Sequence, residues 1–288
     1  MTQLNPLIRY PFYGRAPTRL ERALLWADFS VIKCLVCGDY ARMHSITANF
    51  RESCHCAKCG SFNRQRQMAY MILHALTSQG ITGLSSLADV ARRRDLKIYN
   101  TEATGALHNR LKRMPGYQFS QYYGDAYESG TMVDGIMHQD LMRLSFADNS
   151  LDLVLSSDVF EHVADPYKAH AEVFRVLKPG GRHLFTAPFF ISNFYDGADR
   201  ERADLVYYYD DVRAEIGADG KVTHHRPPIF HGDPVSIDPR GALVFTIFGL
   251  EMLVKLADIG FLTNMFLLYK PLHGILGNNA IFFEAVKL

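Results

Sequence analysis

The chain has almost no charge of its own. Thirty-one Lys and Arg stand against thirty Asp and Glu over 288 residues, a formal net charge of +1. That balance gives no bulk attraction to nucleic acid or to acidic membranes and leaves only local basic patches to consider. Long apolar runs are also missing. The most apolar stretch, Leu243 to Tyr269, is broken by Glu251, Lys255 and Asp258, short of the roughly 18 consecutive apolar residues that a membrane span needs. No secretory leader is expected, because Pro6, Pro11, Pro17 and several arginines interrupt residues 1–30. The G-x-G-x-x-G signature is absent, which excludes a standard nicotinamide dehydrogenase. What the chain does have is a hydrophobic share of 48%, enough to build a core and too much for a largely disordered chain. A cytoplasmic protein without a membrane partner is expected.

Cysteine is scarce but patterned. Of five, Cys34 and Cys37 form one C-x2-C followed by Gly38, and Cys56 and Cys59 form another followed by Gly60. Pairs at this separation read as a zinc site. Two thiolates two residues apart grip one edge of a tetrahedral ion at about 2.3 Å, and the glycine after each pair allows the tight turn. Four thiolates leave no open position, so the site is expected to be structural. Cys54 is left over, either as a free thiol or in place of Cys56, and His44 and His55 are alternative ligands. A helix follows, capped by Ser61 or Asn63, with Met68, Met71, Ile72, Ala75 and Leu76 on one face. Arg64 and Arg66 in its first turn are expected to form a solvated face, or else to contact phosphate.

Beyond Gly80 strands and helices alternate. Leu96-Lys-Ile-Tyr99 reads as a strand, Thr104-Gly105 opens a helix with Leu107 and Leu111, and Pro115-Gly116 ends it. Tyr117 to Tyr123, Gly135 to Asp140 and Leu151 to Asp158 have strand character. Pro166 to Leu177 reads as a helix capped by Asp165, with Tyr167, His170 or Ala171, Phe174 and Leu177 inward. His183-Leu-Phe-Thr-Ala187 is the next strand, Ala242 to Gly260 a helix with Leu250, Leu253, Val254 and Ala257 inward, and Ala280 to Val286 the last strand. Such alternation implies a parallel sheet covered on both faces. Ligands then bind outside the carboxyl ends of the strands, which points to Glu102 to Gly105, Gln121, Asp140, and Ser156 to His162.

Two runs sharpen this. Asp140-Leu-x-x-Leu-x-Phe-Ala-Asp-Asn-Ser-Leu-Asp152 continues through Asp158-Val-Phe-Glu161-His162-Val, and Arg175-Val-Leu-Lys-Pro-Gly-Gly181 follows. Together they resemble the type 11 group of class I methyltransferases, well over about residues 95–190 and loosely at the C-terminus. The whole chain is similar to a bacterial group of such enzymes that bear an N-terminal zinc ribbon. The resemblance implies an α/β, doubly wound, Rossmann-like methyltransferase sheet with an N-terminal zinc-ribbon module of four cysteines. The expected division is an N-terminal segment at 1–80, with the ribbon at about 31–62, and a methyltransferase domain at 81–288. It also implies S-adenosylmethionine as cofactor beside zinc. Glu102 and Gly105 would face the methionine end, Gln121 the ribose, Asp140 and Leu141 the adenine, and Ser156 and Ser157 the methyl-transfer centre. The chain departs from the family where it keeps only Gly105 of the usual glycines, and where Gln121 replaces an acid.

Methyl transfer needs in-line positioning and a deprotonated acceptor. Asp158, Glu161 and His162 are candidate bases; the alternative is that Glu161 and His162 cap or brace the following helix, which is the preferred reading for Glu161 and stands level with the base role for His162. Residues 189–238 are long for a connection and rich in aromatics, including Phe189, Phe190, Phe194, Tyr195, Tyr207, Tyr208, Tyr209 and Phe230. A substrate-covering lid is expected there, with His231 a further candidate base before a Gly-Asp233-Pro234 turn, and His224-His225 a weaker metal candidate. A small-molecule or sugar-type acceptor is the first expectation. A ribosomal or transfer RNA acceptor gripped by Arg64, Arg66 and Arg92 to Arg94 is the second, and a cofactor-free scaffold the third. The oligomeric state is left open.

Overall fold

The computed structural model describes residues 8–9, 31–45, 47, 50–189, 208–231, 239–276 and 281–288. The elements run β1 (Ile8–Arg9), β2 (Val31–Lys33), β3 (Tyr40–His44), β4 (His55–Cys56), α1 (Asn63–Ser78), α2 (Leu87–Val90), β5 (Ile98–Asn100) and α3 (Gly105–Leu111). Then come β6 (Tyr117–Gln121), β7 (Met132–Val133), β8 (Ile136–His138), β9 (Leu151–Ser157), α4 (Pro166–Val176) and β10 (Leu177–Thr186). The last are β11 (Asp211–Val212), β12 (Ala214–Ile216), β13 (Val222–His224), β14 (Phe230–His231), β15 (Ala242–Leu243), β16 (Thr246–Ile247), α5 (Glu251–Ile259), β17 (Phe261–Leu267) and β18 (Ile281–Lys287).

Nine strands form one sheet in the order β1-β17-β18-β10-β9-β5-β6-β8-β7. Strands β8, β6, β5, β9 and β10 are mutually parallel, and β18 enters antiparallel between β10 and β17. The chain moves outward from β5 through β6 to β8, then returns to place β9 on the other side of β5. The carboxyl ends of β5 and β9 therefore flank the point where the winding reverses, the crevice in which such sheets take ligands. The doubly wound, Rossmann-like sheet expected from the alternating pattern is present.

Period-two side-chain alternation divides the interior. Ile98, Leu153, Leu155, Leu184 and Phe282 face one layer, built from Met68, Met71, Ile72, Ala75 and Leu76 of α1 and Leu107 and Leu111 of α3. Tyr99, Val154, Phe185 and Phe283 face the other, with Val173 and Val176 of α4 and Met252, Leu253 and Leu256 of α5. The first layer also contains Ile32, Cys34, Cys37, Met43, Cys54 and Cys56, so the cysteine module shares a core with the sheet.

Several local readings change. The N-cap of α1 is Phe62, without a side-chain cap, so neither Ser61 nor Asn63 serves; Asn63 instead donates to the Leu276 carbonyl and accepts from its N–H. The helix expected from Ala242 begins at Glu251, because residues 242–247 are drawn out as strands against 211–212 and 230–231. Its inward face is Met252, Leu253, Leu256 and Ala257, with Leu250 and Val254 only half-buried. In α4, Asp165 accepts from the Lys168 N–H at 2.9 Å as expected, and His170 is the buried alternative while Ala171 is exposed. Among the described residues, no helix is long and apolar enough to cross a membrane.

Candidate functional site

The cysteine module is a three-stranded sheet, β2-β3-β4, whose two turns present Cys34, Cys37, Cys56 and Cys59 to one point. Their sulfurs all lie within 4.8 Å of one another, and Cys34 and Cys59 are 3.7 Å apart. Sulfurs on a tetrahedral ion at about 2.3 Å stand roughly 3.8 Å apart, so the donor set fits zinc. Each turn closes alike: Gly38 and Gly60 donate to the carbonyls of Cys34 and Cys56 at 2.8 Å, both with positive φ. A side chain at Gly38 would also strike Ser86 Oγ at 2.8 Å. The Cys34 thiol is drawn down to about 4 by accepting from Cys59, and burial pushes Cys37 up to about 11. Cys54 lies outside the quartet; it is buried, and burial raises its thiol.

The first turn of α1 joins this module to the strand ends. Arg66 is fully buried and donates to the carbonyls of Ser61, Cys54 at 2.7 Å and Gly274 at 2.8 Å. Arg64 points the other way. It donates to Glu52 at 2.7 Å and to Ser157, and lies 3.6 Å from Asp158 and 3.7 Å from Glu102. Neither is the solvated face expected of them, because Arg66 finds buried carbonyls and Arg64 finds partly buried carboxylates and a hydroxyl.

Asp158 follows the carboxyl end of β9 in the left-handed region, with φ 52°. It pairs with Arg51 and accepts from Thr186 Oγ1 at 3.0 Å. Burial acts to raise its carboxyl, but Arg51 and Arg64 outweigh that and hold it below its ordinary value. It is thereby an ion-pair partner and a weak base. Glu102 goes the opposite way: burial raises it despite Arg64. Gly105 opens α3 with φ 85°, and a side chain there would meet Gln65 Nε2 at 2.6 Å. Gln65 Oε1 is buried without a partner.

The two serines part company. Ser157 accepts from Arg64 and contacts Thr186 Oγ1 at 3.2 Å. Ser156 is buried on the opposite face of the sheet, 2.8 Å from His183 Nε2, so its hydroxyl does not border the crevice. Gln121 ends β6. The Asp140 carboxylate accepts from the Met142 N–H at 2.8 Å, closing a turn that buries Leu141.

Of the expected lid, Phe190, Phe194, Tyr195, Tyr207 and the Gly-Asp-Pro turn after His231 lie outside the described residues. Phe189 is buried, Tyr208 and Tyr209 are exposed, and β12 and β13 form an antiparallel hairpin with β13 fully exposed. His224 and His225 are exposed. The pairing of β14 with β15 brings His231 against His162, ring centroids 5.2 Å apart. The His162 Nδ1–H donates to the Leu243 carbonyl at 2.8 Å, and the Phe245 N–H donates to the Glu161 carbonyl at 2.7 Å. Glu161 raises the affinity of His231 for its proton. Sequence reasoning missed Arg51, Glu52 and Gln65 as members of these clusters.

Residues 103–185 match the methyltransferase domain family model. Two proteins carrying the name uncharacterized methyltransferase are similar: one of Mycobacteroides abscessus, 31% identical over 45% of this chain and 45% of its own length, and one of Mycobacterium avium, 46% identical over 19% and 21%. The chain spans about half the length of the first of these relatives. A solved S-adenosylmethionine-dependent methyltransferase of Mesorhizobium loti is similar at 16% identity over 69% of this chain and 95% of that one, with a TM-score of 0.37. The sequence matches support a methyltransferase domain over the stretch from α3 into β10.

Proposed function

We propose that the chain transfers a methyl group from S-adenosylmethionine to a small-molecule or sugar-type acceptor, with a structural zinc ion in the four-cysteine module. The observation that carries this reading is the convergence of Glu102, Gly105, Ser157 and Asp158 on the switch point between β5 and β9, the last three within the stretch that matches the methyltransferase domain and Glu102 just before it.

The residues there fit the cofactor. Gly105 offers backbone with no side chain in the way, and Gln65 Oε1 is a buried acceptor without a donor, a group that a bound ammonium would satisfy. Glu102, Gly105, Gln65 and Arg64 would hold the aminocarboxylate end, Gln121 the ribose, and Asp140 with Leu141 the adenine. The cofactor, when bound, supplies an electrophilic sulfonium methyl. Ser157 and the paired Asp158 would fix the polar floor on which the acceptor is oriented, and His162 and His231 are the nearby groups that can take its proton.

The inward commitment of Arg64 and Arg66 favours a small acceptor over RNA. Arg92 and Arg93 pair with Asp89 and Asp95, so the guanidinium groups offered for phosphate contact are largely engaged. Calorimetric titration with S-adenosylmethionine, with zinc measured in the same sample, tests the proposal. Binding that is weakened by Asp140→Ala is expected; no binding at about 1 mM, equivalent to less than about 4 kcal/mol, would leave the scaffold reading.

A further inference from the structure

We propose that Glu161, His162 and His231 form a second metal centre, which takes one divalent cation of the zinc, manganese or iron type. The starting point is a buried carboxyl group whose oxygens make no hydrogen bond and face only two imidazoles. The Glu161 side chain is 0% exposed, and neither carboxylate oxygen has a hydrogen-bond partner. An unpaired carboxylate in such a place costs several kcal/mol, and an ion is one of the few things that removes the cost.

The two imidazoles stand where ligands of that ion would stand. His231 Nδ1 is 3.6 Å and His162 Nε2 is 3.8 Å from Glu161 Oε1, too far for hydrogen bonds. Donor atoms sharing one cation at about 2.0–2.2 Å sit roughly 3–3.5 Å apart, so small side-chain rotations close the set; all three donors already lie within 4.8 Å. The backbone has fixed each of them. His162 gives its Nδ1–H to the Leu243 carbonyl, which leaves Nε2 bare and aimed, the arrangement that metal-bound histidines adopt. Glu161 is anchored by the Phe245 N–H, and His231 by the pairing of β14 with β15. His162 and His231 are partly exposed, at 18% and 43%, which leaves a way in.

Two imidazoles and one carboxylate favour a transition cation over magnesium or calcium, and three protein ligands leave positions open for water or an oxygen ligand. The four-cysteine module, by contrast, is saturated. Metal binding is measured directly and does not depend on the methyl-transfer reading; with the ion bound, His162 and His231 would be ligands, and a water at an open position of the metal, not their imidazoles, would take the acceptor's proton.

The full chain, with its zinc complement measured, is titrated with Mn2+ by calorimetry and by electron paramagnetic resonance. One Mn2+ per chain beyond the zinc is expected, and added Zn2+ should displace it. Because changes even to groups behind a ligand cost roughly 10–100-fold in affinity, Glu161→Gln and His231→Gln should each weaken binding by about 100-fold or more. The His231 side chain is half-exposed, so its variant keeps the test sound if Glu161→Gln fails to fold. Absence of Mn2+ binding at about 1 mM, or wild-type affinity in His231→Gln, would overturn the proposal.

Discussion

Arg66 and Arg64 lie two residues apart on α1 and serve opposite regions. Arg66 reaches back into the cysteine module and directs its hydrogen bonds to backbone carbonyls; Arg64 reaches forward to carboxylates and a hydroxyl at the strand ends. The first region is closed. Its guanidinium is met by backbone carbonyls, and the proposed four-thiolate zinc site beside it would keep a negative charge that Arg66 offsets. The second region is open. It carries an amide oxygen at Gln65 and a buried carboxyl at Glu161 that make no hydrogen bonds, and a left-handed residue at Asp158. Matched groups mark architecture, and unmatched ones at a strand-end crevice mark candidate places for a ligand.

The largest effect expected from breaking this contrast is in the closed region. Cys56→Ser removes one of four ligands and should cost more than about 4 kcal/mol, the range reached when a structural metal is lost. Loss of zinc together with loss of a cooperative urea transition checks it. Because Cys34, Cys56 and the α1 residues share a core with the sheet, the damage should extend to the whole fold. Next comes Arg66→Met, which fills the volume but strands the buried carbonyls of Cys54 and Gly274, while that of Ser61 keeps the Cys56 N–H. At about 1–3 kcal/mol for each unmet group, a loss of about 2 kcal/mol or more is expected in urea melts, with S-adenosylmethionine affinity unchanged.

Arg64→Met should do the reverse. Its carboxylate partners are partly exposed and regain water, so a stability loss of only about 1–2 kcal/mol is expected, while cofactor affinity should fall roughly tenfold. The acid limb should also move. Asp158 is held below its ordinary value in the folded protein, so its contribution is present above the ordinary carboxylate range and is lost as pH falls through the folded value. Removing Arg64 brings the folded value back toward the unfolded one, so acid unfolding should begin at a higher pH. Circular dichroism against pH for the two proteins decides it.

The difference between the regions also explains what was legible beforehand. Cysteine spacing is a local signal, and it placed Cys34, Cys37, Cys56 and Cys59 together. Apolar periodicity is local too, and gave the strands at 98–100, 117–121 and 151–157 within two or three residues. The strand-end cluster is not local. Arg64 meets Ser157 across 93 residues and Arg51 meets Thr186 across 135, and no pattern within α1 signals that its first turn lies over β9. The expected helix at 242–250 failed for the same reason: its apolar residues pair with 211–212 and 230–231 as strands, and tertiary pairing overrides propensity. Glu161 read as a brace because its burial depends on that same pairing.

The smallest effect tests the contrast within two adjacent residues. Ser156 and Ser157 were expected to border one centre, but a strand sends successive side chains to opposite faces. Ser156→Ala should leave His183 without its partner in a dry layer of Phe160, His170 and Phe185. A stability loss of about 1 kcal/mol follows from one broken buried hydrogen bond, with cofactor binding unchanged. Ser157→Ala removes a hydroxyl held by Arg64 at the crevice. It should shift stability by less than about 0.5 kcal/mol and weaken cofactor or acceptor binding a few-fold. Parallel urea melts and titrations of the two variants separate them. If Ser156→Ala impaired binding while Ser157→Ala did not, the crevice would lie on the α4 side of the sheet, and the roles given to Arg64 and Gln65 would fall with it.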